Sequence, residues 1–141
     1  RSCHTNIPAY TVIRYITLIN CSVECSNYVQ KCRESRCYKL REFAEIIEIS
    51  PYYLSMIENG KKKNPKIQII GRIYKALKLT KSEMEKLLYL YAKANDTVCS
   101  DIVDYIMENE NIIRAIRYER DRQGSAPNWD DFINKICTEE K

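Results

Sequence analysis

The sequence predicts an all-α protein, on three observations. From Asn27 onward, apolar residues recur at spacings of three and four, which is the period of an amphipathic helix. Residues that start helices stand at the boundaries of these stretches, as in Ser50-Pro51 and in the capping box from Thr80 to Glu83. The 141 residues include only 3 Gly and 4 Pro and are 45% hydrophobic, which is typical of a globular chain.

Residues 1–26 lack this helical period. Residues 10–19 are rich in β-branched side chains, which favours a strand. A single strand is unstable alone, so this segment would dock on the rest of the chain, pair with a second copy or stay loose. We therefore predict an N-terminal extension, strand-like or loose, over residues 1–26. Its apolar run is shorter than the roughly 20 residues of a membrane helix, and Arg14 interrupts it, so we expect no membrane contact.

Residues 27–93 divide into five predicted helices. The third begins with Ser50 as N-cap and Pro51 at its first position, and a C-terminal cap at Gly60 ends it. The five helices cover, in order, residues 28–35, 40–47, 51–58, 67–77 and the stretch from 81 onward. A tight turn at residues 48–49 separates the second helix from the third, which is the layout of a helix-turn-helix domain.

Residues 94–141 continue as helices. Ser100, Asn111 and Asn128 are predicted N-caps, and the linker QGSAP at 123–127 precedes the last helix. That helix carries one apolar stripe, formed by Trp129, Phe132, Ile133 and Ile136. We assign this C-terminal helical region to dimerisation or effector contacts.

Net charge divides the chain into unlike parts. Residues 26–93 hold 15 Lys and Arg against 7 Glu, a net charge of +8, and residues 94–141 hold 6 against 11 acidic residues, a net charge of −5. Residues 1–25 contribute +1, and the whole chain carries +4. A basic module followed by an acidic one fits a polyanion-binding domain joined to a second, different surface.

The seven cysteines match no tight zinc spacing. Four residues have side chains that could bind a metal: Cys3, His4, Cys21 and Cys25. Their spacing argues against a metal site, because no C-x-x-C occurs and the gap between Cys3 and Cys21 is long. We interpret the cysteines as reduced thiols of a cytoplasmic protein and predict no metal and no cofactor. The sequence contains no phosphate-binding loop, dinucleotide motif or nucleophile elbow, and its lone histidine offers no acid–base pair, so we predict no enzyme.

Three stretches of the chain keep a fixed spacing without a gap: LREFAEII at 40–47, ISPYYLSMIENG at 49–60 and IYKALKL at 73–79. Through these three sequence segments, residues 27–92 resemble the Xre/Cro family of phage and bacterial repressors. The resemblance implies a sequence-specific transcriptional regulator that binds double-stranded DNA. It further implies a repressor that acts as a homodimer, is encoded by a phage or mobile element and works in the cytoplasm at the nucleoid.

The resemblance also implies which residues meet DNA. The helix at 51–58 would lie in the major groove, and the loop after it would contact phosphates. The implied DNA-binding residues are Lys39, Ser50, Pro51, Tyr52, Ser55, Met56, Lys61, Lys62, Lys63 and Lys66. Arg33 and Glu58 would form a structural ion pair that takes no part in base reading.

Two departures from the family pattern affect this interpretation. The turn position usually held by glycine is Glu48, so a left-handed backbone there would cost about 1 kcal/mol. The outward helix face lacks Gln, Asn and Arg, which read base edges through bidentate hydrogen bonds, and Leu40 replaces a residue type that bonds phosphate. This face supports an alternative function as a protein-interaction module, such as an antitoxin or a dual-role anti-CRISPR protein, with residues 94–141 holding a protein partner.

Overall fold

The structure is a computed structural model that describes residues 9–62, 64–122 and 129–139. These residues contain eight helices and no strand, so the predicted all-α class is confirmed for them. The helices are α1 (Ala9–Ser35), α2 (Leu40–Ile46), α3 (Pro51–Glu58), α4 (Ile67–Ala76), α5 (Lys81–Ala94), α6 (Val103–Glu108), α7 (Glu110–Asp121) and α8 (Trp129–Glu139). The chain forms two compact units, residues 1–102 and 103–141.

The predicted strand at 10–19 is wrong, because residues 9–35 form the single helix α1. Apolar side chains lie on two opposite sides of this helix. One side is buried, at Cys21, Cys25, Val29 and Cys32, and the other is exposed, at Ile16, Ile19 and Val23. Apolar residues on both sides hide the helical period in the sequence. Packing of α1 along α5 then outweighs the strand preference of the β-branched residues.

The core of the first unit is formed by buried side chains of α1 to α5 and of the residues that end these helices. Its fully buried side chains include Phe43, Ile47, Leu54, Ile70, Ile73, Leu77 and Leu87. They come from α2 to α5 and the residues that end these helices, at the three-and-four spacing of the sequence. The predicted boundary at 93–94 falls at the end of α5, and the compact unit continues to residue 102.

Capping interactions set the boundaries of the short helices. The Ser50 hydroxyl accepts a hydrogen bond from the Tyr53 backbone N–H at 3.1 Å, with Pro51 at the first helical position. The Thr80 hydroxyl accepts from the Glu83 backbone N–H at 3.3 Å, and the Glu83 carboxylate accepts from the Thr80 backbone N–H at 2.8 Å. Both predicted caps are therefore confirmed. Gly60 follows α3 with a φ of 68°, a left-handed conformation that glycine adopts without a Cβ clash.

The second unit contains α6, α7 and α8. Two of these helices start at other residues than the sequence predicted. Helix α6 begins at Val103, although Ser100 was the predicted N-cap, and the N-cap position of α7 is Asn109 rather than Asn111. The predicted cap Asn128 and the linker 123–127 lie outside the described residues. The Trp129 and Phe132 rings meet edge to face, with centroids 6.1 Å apart. No residue of α6 or α7 is buried, and residues 129–138 are all exposed.

The turn between α2 and α3 is a Schellman motif built on a residue other than glycine. The Ile49 N–H donates to the Ala44 carbonyl at 3.0 Å, and the Glu48 N–H donates to the Glu45 carbonyl at 3.1 Å. Glu48 lies between them with a φ of 55°, as the family resemblance implied. The backbone here carries the cost of a left-handed conformation with a Cβ.

Replacing Glu48 by Gly is expected to raise the free energy of unfolding by about 1 kcal/mol, which corresponds to several degrees in Tm for a unit of this size. The variant loses only an exposed ion pair with Arg72 at 3.4 Å, which contributes little. Thermal unfolding followed by circular dichroism measures the change. Glu45→Gly, inside α2, is the control and should lower Tm. A lower Tm for Glu48→Gly would contradict the prediction.

Candidate nucleic-acid interface

Helix α3 has one side held in the core and one side in solvent. Leu54 and Ile57 are buried and anchor the helix against α1 and α2. Tyr52 is 75% exposed. Pro51, Ser55 and Met56 are partly exposed. The outward residues that the sequence assigned to DNA binding therefore surround one solvent-facing side of α3.

A buried ion pair holds the C-terminal end of α3. The Arg33 guanidinium donates two hydrogen bonds to the Glu58 carboxylate, from Nε to Oε1 at 2.7 Å and from Nη2 to Oε2 at 2.8 Å. Its Nη1 donates to the Tyr38 carbonyl oxygen at 2.6 Å. The hydrogen bonds that Arg33 donates to Glu58 raise the pKa of Arg33 above its ordinary value, so the guanidinium stays charged. This bidentate contact joins α3 to α1 and to the turn before α2.

The segment of residues 61–66, called here the basic loop, is fixed at both ends. The Lys62 backbone N–H donates to the Met56 carbonyl at 2.9 Å, and the Tyr91 hydroxyl donates to the Pro65 carbonyl at 2.7 Å. Lys61 and Lys66 are exposed. The Lys62 ammonium lies 5.9 Å from the centroid of the Tyr53 ring. The predicted contact Lys63 lies outside the described residues.

The remaining predicted contacts lie at the starts of α2 and α3. Lys39 is exposed at the N-cap position of α2, and its side chain caps no backbone group. Leu40 packs against the core. The Ser50 hydroxyl already accepts from the Tyr53 N–H as the cap of α3.

Sequence reasoning missed Asn59 as an interface residue. It was interpreted only as part of the helix end, yet it is exposed, and its amide nitrogen donates to the Ser55 hydroxyl at 3.1 Å. It follows Ser55 by four residues and Tyr52 by seven, so the three side chains share one side of α3. That spacing was the available signal. The Asn59 amide is a hydrogen-bonding group of the kind that reads base edges, on a side of α3 that was described from the sequence as lacking Gln, Asn and Arg.

The thiols of α1 do not form a reactive centre. Cys21, Cys25 and Cys32 are buried, and burial raises the pKa of Cys25 to about 11. Within the described ranges, no group of three His, Cys, Asp or Glu side chains is placed to hold a metal ion. Cys3 and His4, half of the metal set weighed from the sequence, fall outside those ranges. A long, apolar helix of the kind that crosses a membrane is likewise not found in the described part of the chain.

Comparison with known proteins agrees with this geometry. Residues 28–95 match the family model of a helix-turn-helix domain, which spans the end of α1 and all of α2 to α5. No curated protein and no solved structure matches the chain. The first unit therefore contains a helix-turn-helix domain, with α2 and α3 as its two central helices. This is the domain type found in DNA-binding regulators. The narrower resemblance to Xre/Cro repressors stays a prediction.

Proposed function

We propose that this protein is a sequence-specific transcriptional regulator that binds double-stranded DNA and acts as a repressor in the cytoplasm, at the nucleoid. The observation that carries the proposal is the arrangement of α3. Buried Leu54 and Ile57 and the Arg33–Glu58 pair hold the helix rigidly, while its other side faces solvent next to the basic loop. A rigid exposed helix beside cationic side chains suits a major groove and its phosphates.

The chemistry of α3 determines what it would read. An α-helix such as α3, with its side chains, is about 10 to 12 Å in diameter, which fits the major groove of about 12 Å width. The Asn59 amide would pair with an adenine edge, and the Tyr52 hydroxyl offers one further hydrogen bond. Met56 would contact a thymine methyl group. With so few polar readers, most of the affinity would come from phosphate contacts by the lysines of the basic loop and by Lys39.

The same proposal includes a homodimer. Two copies of α3 would meet two half-sites about 34 Å apart, one turn of the double helix. The region after α5 would join the copies, since its exposed apolar residues lie outside the helix-turn-helix match. Its acidic charge would keep it away from the DNA.

A second candidate function is a protein-interaction module on the same fold. The specific observation in its favour is Tyr52, whose ring is 75% exposed on a side of α3 that carries no arginine. Exposed aromatic residues are frequent anchors of protein interfaces. In this case a partner protein would bind α3 or the region after α5.

Selection of bound sequences from a random duplex pool tests the choice between these functions. The full chain is expected to enrich a palindrome with half-sites one helical turn apart. Tyr52→Ala should change or abolish the enriched sequence. Tyr89→Ala, which removes a tyrosine that is 54% exposed on α5, should leave it unchanged. If the wild-type chain enriches no sequence even at low salt, the regulator is refuted and the interaction module is favoured.

A further inference from the structure

The second unit exposes many large apolar side chains to solvent. Eight of them are exposed by between 47% and 70%: Tyr105, Met107, Ile116, Tyr118, Trp129, Phe132, Ile133 and Ile136. A unit of this size whose described residues are all at least partly exposed cannot offset the conformational entropy lost when its helices form. We therefore expect a surface from outside these described residues to cover part of their exposed apolar side chains.

The exposed residues form two one-sided stripes suited to helix pairing. On α7, Ile112, Ile113 and Ile116 lie on one side of the helix. On α8, the stripe consists of Trp129, Phe132, Ile133 and Ile136, at spacings of three and four. Each stripe is the kind of surface that packs against another helix.

The charges beside the two stripes have opposite signs. Arg117 is four residues after Ile113, and Arg120 is four residues after Ile116, so both lie at the edge of the α7 stripe. Asp130 and Asp131 make the first turn of α8 acidic, with Asp130 at the flank of the α8 stripe and Asp131 on the opposite side of the helix. Arg120 also pairs with Asp121 of its own helix at 2.8 Å, and both side chains remain exposed. Pairing α7 with α8 brings unlike charges together, whereas a parallel pair of two α8 helices would bring their acidic first turns together.

Within one chain the two stripes do not cover each other, since the α8 residues from 129 to 138 are exposed and α7 has no buried residue. We propose that α8 of one copy lies on the α7 stripe of a second copy, and that the second copy does the same in return. The inference names the interface of the homodimer and rests on that part of the proposed function. The second unit would then be an exchanged helical bundle made by two chains.

The available area agrees with a second copy as the partner. Half-exposed aromatic and large aliphatic side chains each offer on the order of 100 Å². The five of these side chains that lie on the two stripes, Ile116, Trp129, Phe132, Ile133 and Ile136, thus offer on the order of 500 Å². Ile112, Ile113 and the charged side chains beside the stripes add to this area and bring it towards the roughly 800 Å² per partner of a stable interface. Each copy also carries both the cationic and the acidic edge, so the surface is self-complementary, as a two-fold interface requires.

Mixing two charge-reversed full-length chains tests the proposal. One chain carries Asp130→Lys and Asp131→Lys, and the other carries Arg117→Glu and Arg120→Glu. Analytical ultracentrifugation should give a dimer for the wild type and at least a tenfold weaker dimer for each variant alone. An equimolar mixture of the variants, allowed to exchange, should recover the wild-type dimer. The lysines on α8 of the first chain then meet the glutamates on α7 of the second, and the aspartates on α8 of the second chain meet the arginines on α7 of the first.

A matched control carries the same charge change away from the α7 stripe, at Arg114 on the opposite side of the helix and at Arg122 directly after its end. Arg114→Glu with Arg122→Glu should leave the dimer unchanged. A monomeric wild type, or a mixture that stays monomeric, would overturn the proposal. Recovery only when all four changes are placed in one chain, with no recovery on mixing, would also overturn it, because α8 would then lie on its own α7. A dimer that recovers on mixing but binds no duplex would support this interface and refute DNA binding.

Discussion

Replacing Glu58 by Gln is expected to lower the free energy of unfolding of the first unit by about 3 kcal/mol, the largest effect of any single change considered. Both side chains of the pair are more than 90% buried, so water cannot solvate the Arg33 guanidinium once its carboxylate partner is neutral. The glutamine oxygen still accepts one of the two hydrogen bonds, which places the loss near the lower end for a broken buried pair. Denaturant unfolding measures the loss.

Two further variants separate charge from packing in this pair. Glu45→Gln changes an exposed carboxylate on α2 and should leave stability nearly unchanged. Replacing Arg33 and Glu58 together by Met removes both buried charges and should recover most of the stability. A residual loss of about 1 kcal/mol is expected, because the Tyr38 carbonyl loses the hydrogen bond from Arg33. A loss below 1 kcal/mol for Glu58→Gln would show that the pair does not hold α3.

Removing the lysines of the basic loop is expected to give the largest change in DNA affinity. In the variant with Lys61→Ala, Lys62→Ala and Lys66→Ala, each lost phosphate contact should reduce the slope of log K against log salt by about 0.9. The combined change in slope would be about 2 to 3, and affinity at low salt should fall by more than tenfold. Titration of a duplex followed by fluorescence anisotropy, at a series of salt concentrations, measures both quantities.

The control for the lysine variant removes the same number of positive charges, three, from helices away from the basic loop. Lys31→Ala, Lys86→Ala and Lys93→Ala change three exposed lysines of α1 and α5. If the loop contacts phosphate, this control should retain most of the wild-type salt slope. Equal slopes for the two triple variants would mean that net charge alone, and not the basic loop, governs binding.

Much of the helix-turn-helix domain was predictable from local sequence. Ser50-Pro51 and the Thr80 capping box mark helix starts through hydrogen bonds that span only three residues. The positive φ of Glu48 followed from the family resemblance, since the residue itself gives no such signal. The region after residue 102 was less predictable, because its helices have exposed stripes and few strong caps.

The candidate interface itself stays a prediction, and the structure shows which of its residues are exposed. Tyr52, Lys61 and Lys66 lie at exposed positions on or after α3, whereas Leu40 packs against the core. Asn59 was missed because an asparagine before glycine is the usual sign of a helix end. Its position on the exposed side of α3 follows only from the helix itself, in which the Asn59 amide lies four residues after Ser55 and donates to the Ser55 hydroxyl.

By itself, the sequence determined the helical class, the caps of α3 and α5 and the apolar period of α2 to α5, because these depend on residues within four positions of one another. Only the tertiary structure decided that residues 9–35 form one helix, since α1 is stabilised by its contact with α5, far along the chain. It also decided how Arg33 and Glu58, separated by 25 positions, meet with full bidentate geometry. Contacts between distant segments bury these groups, and burial is a property that no local pattern records.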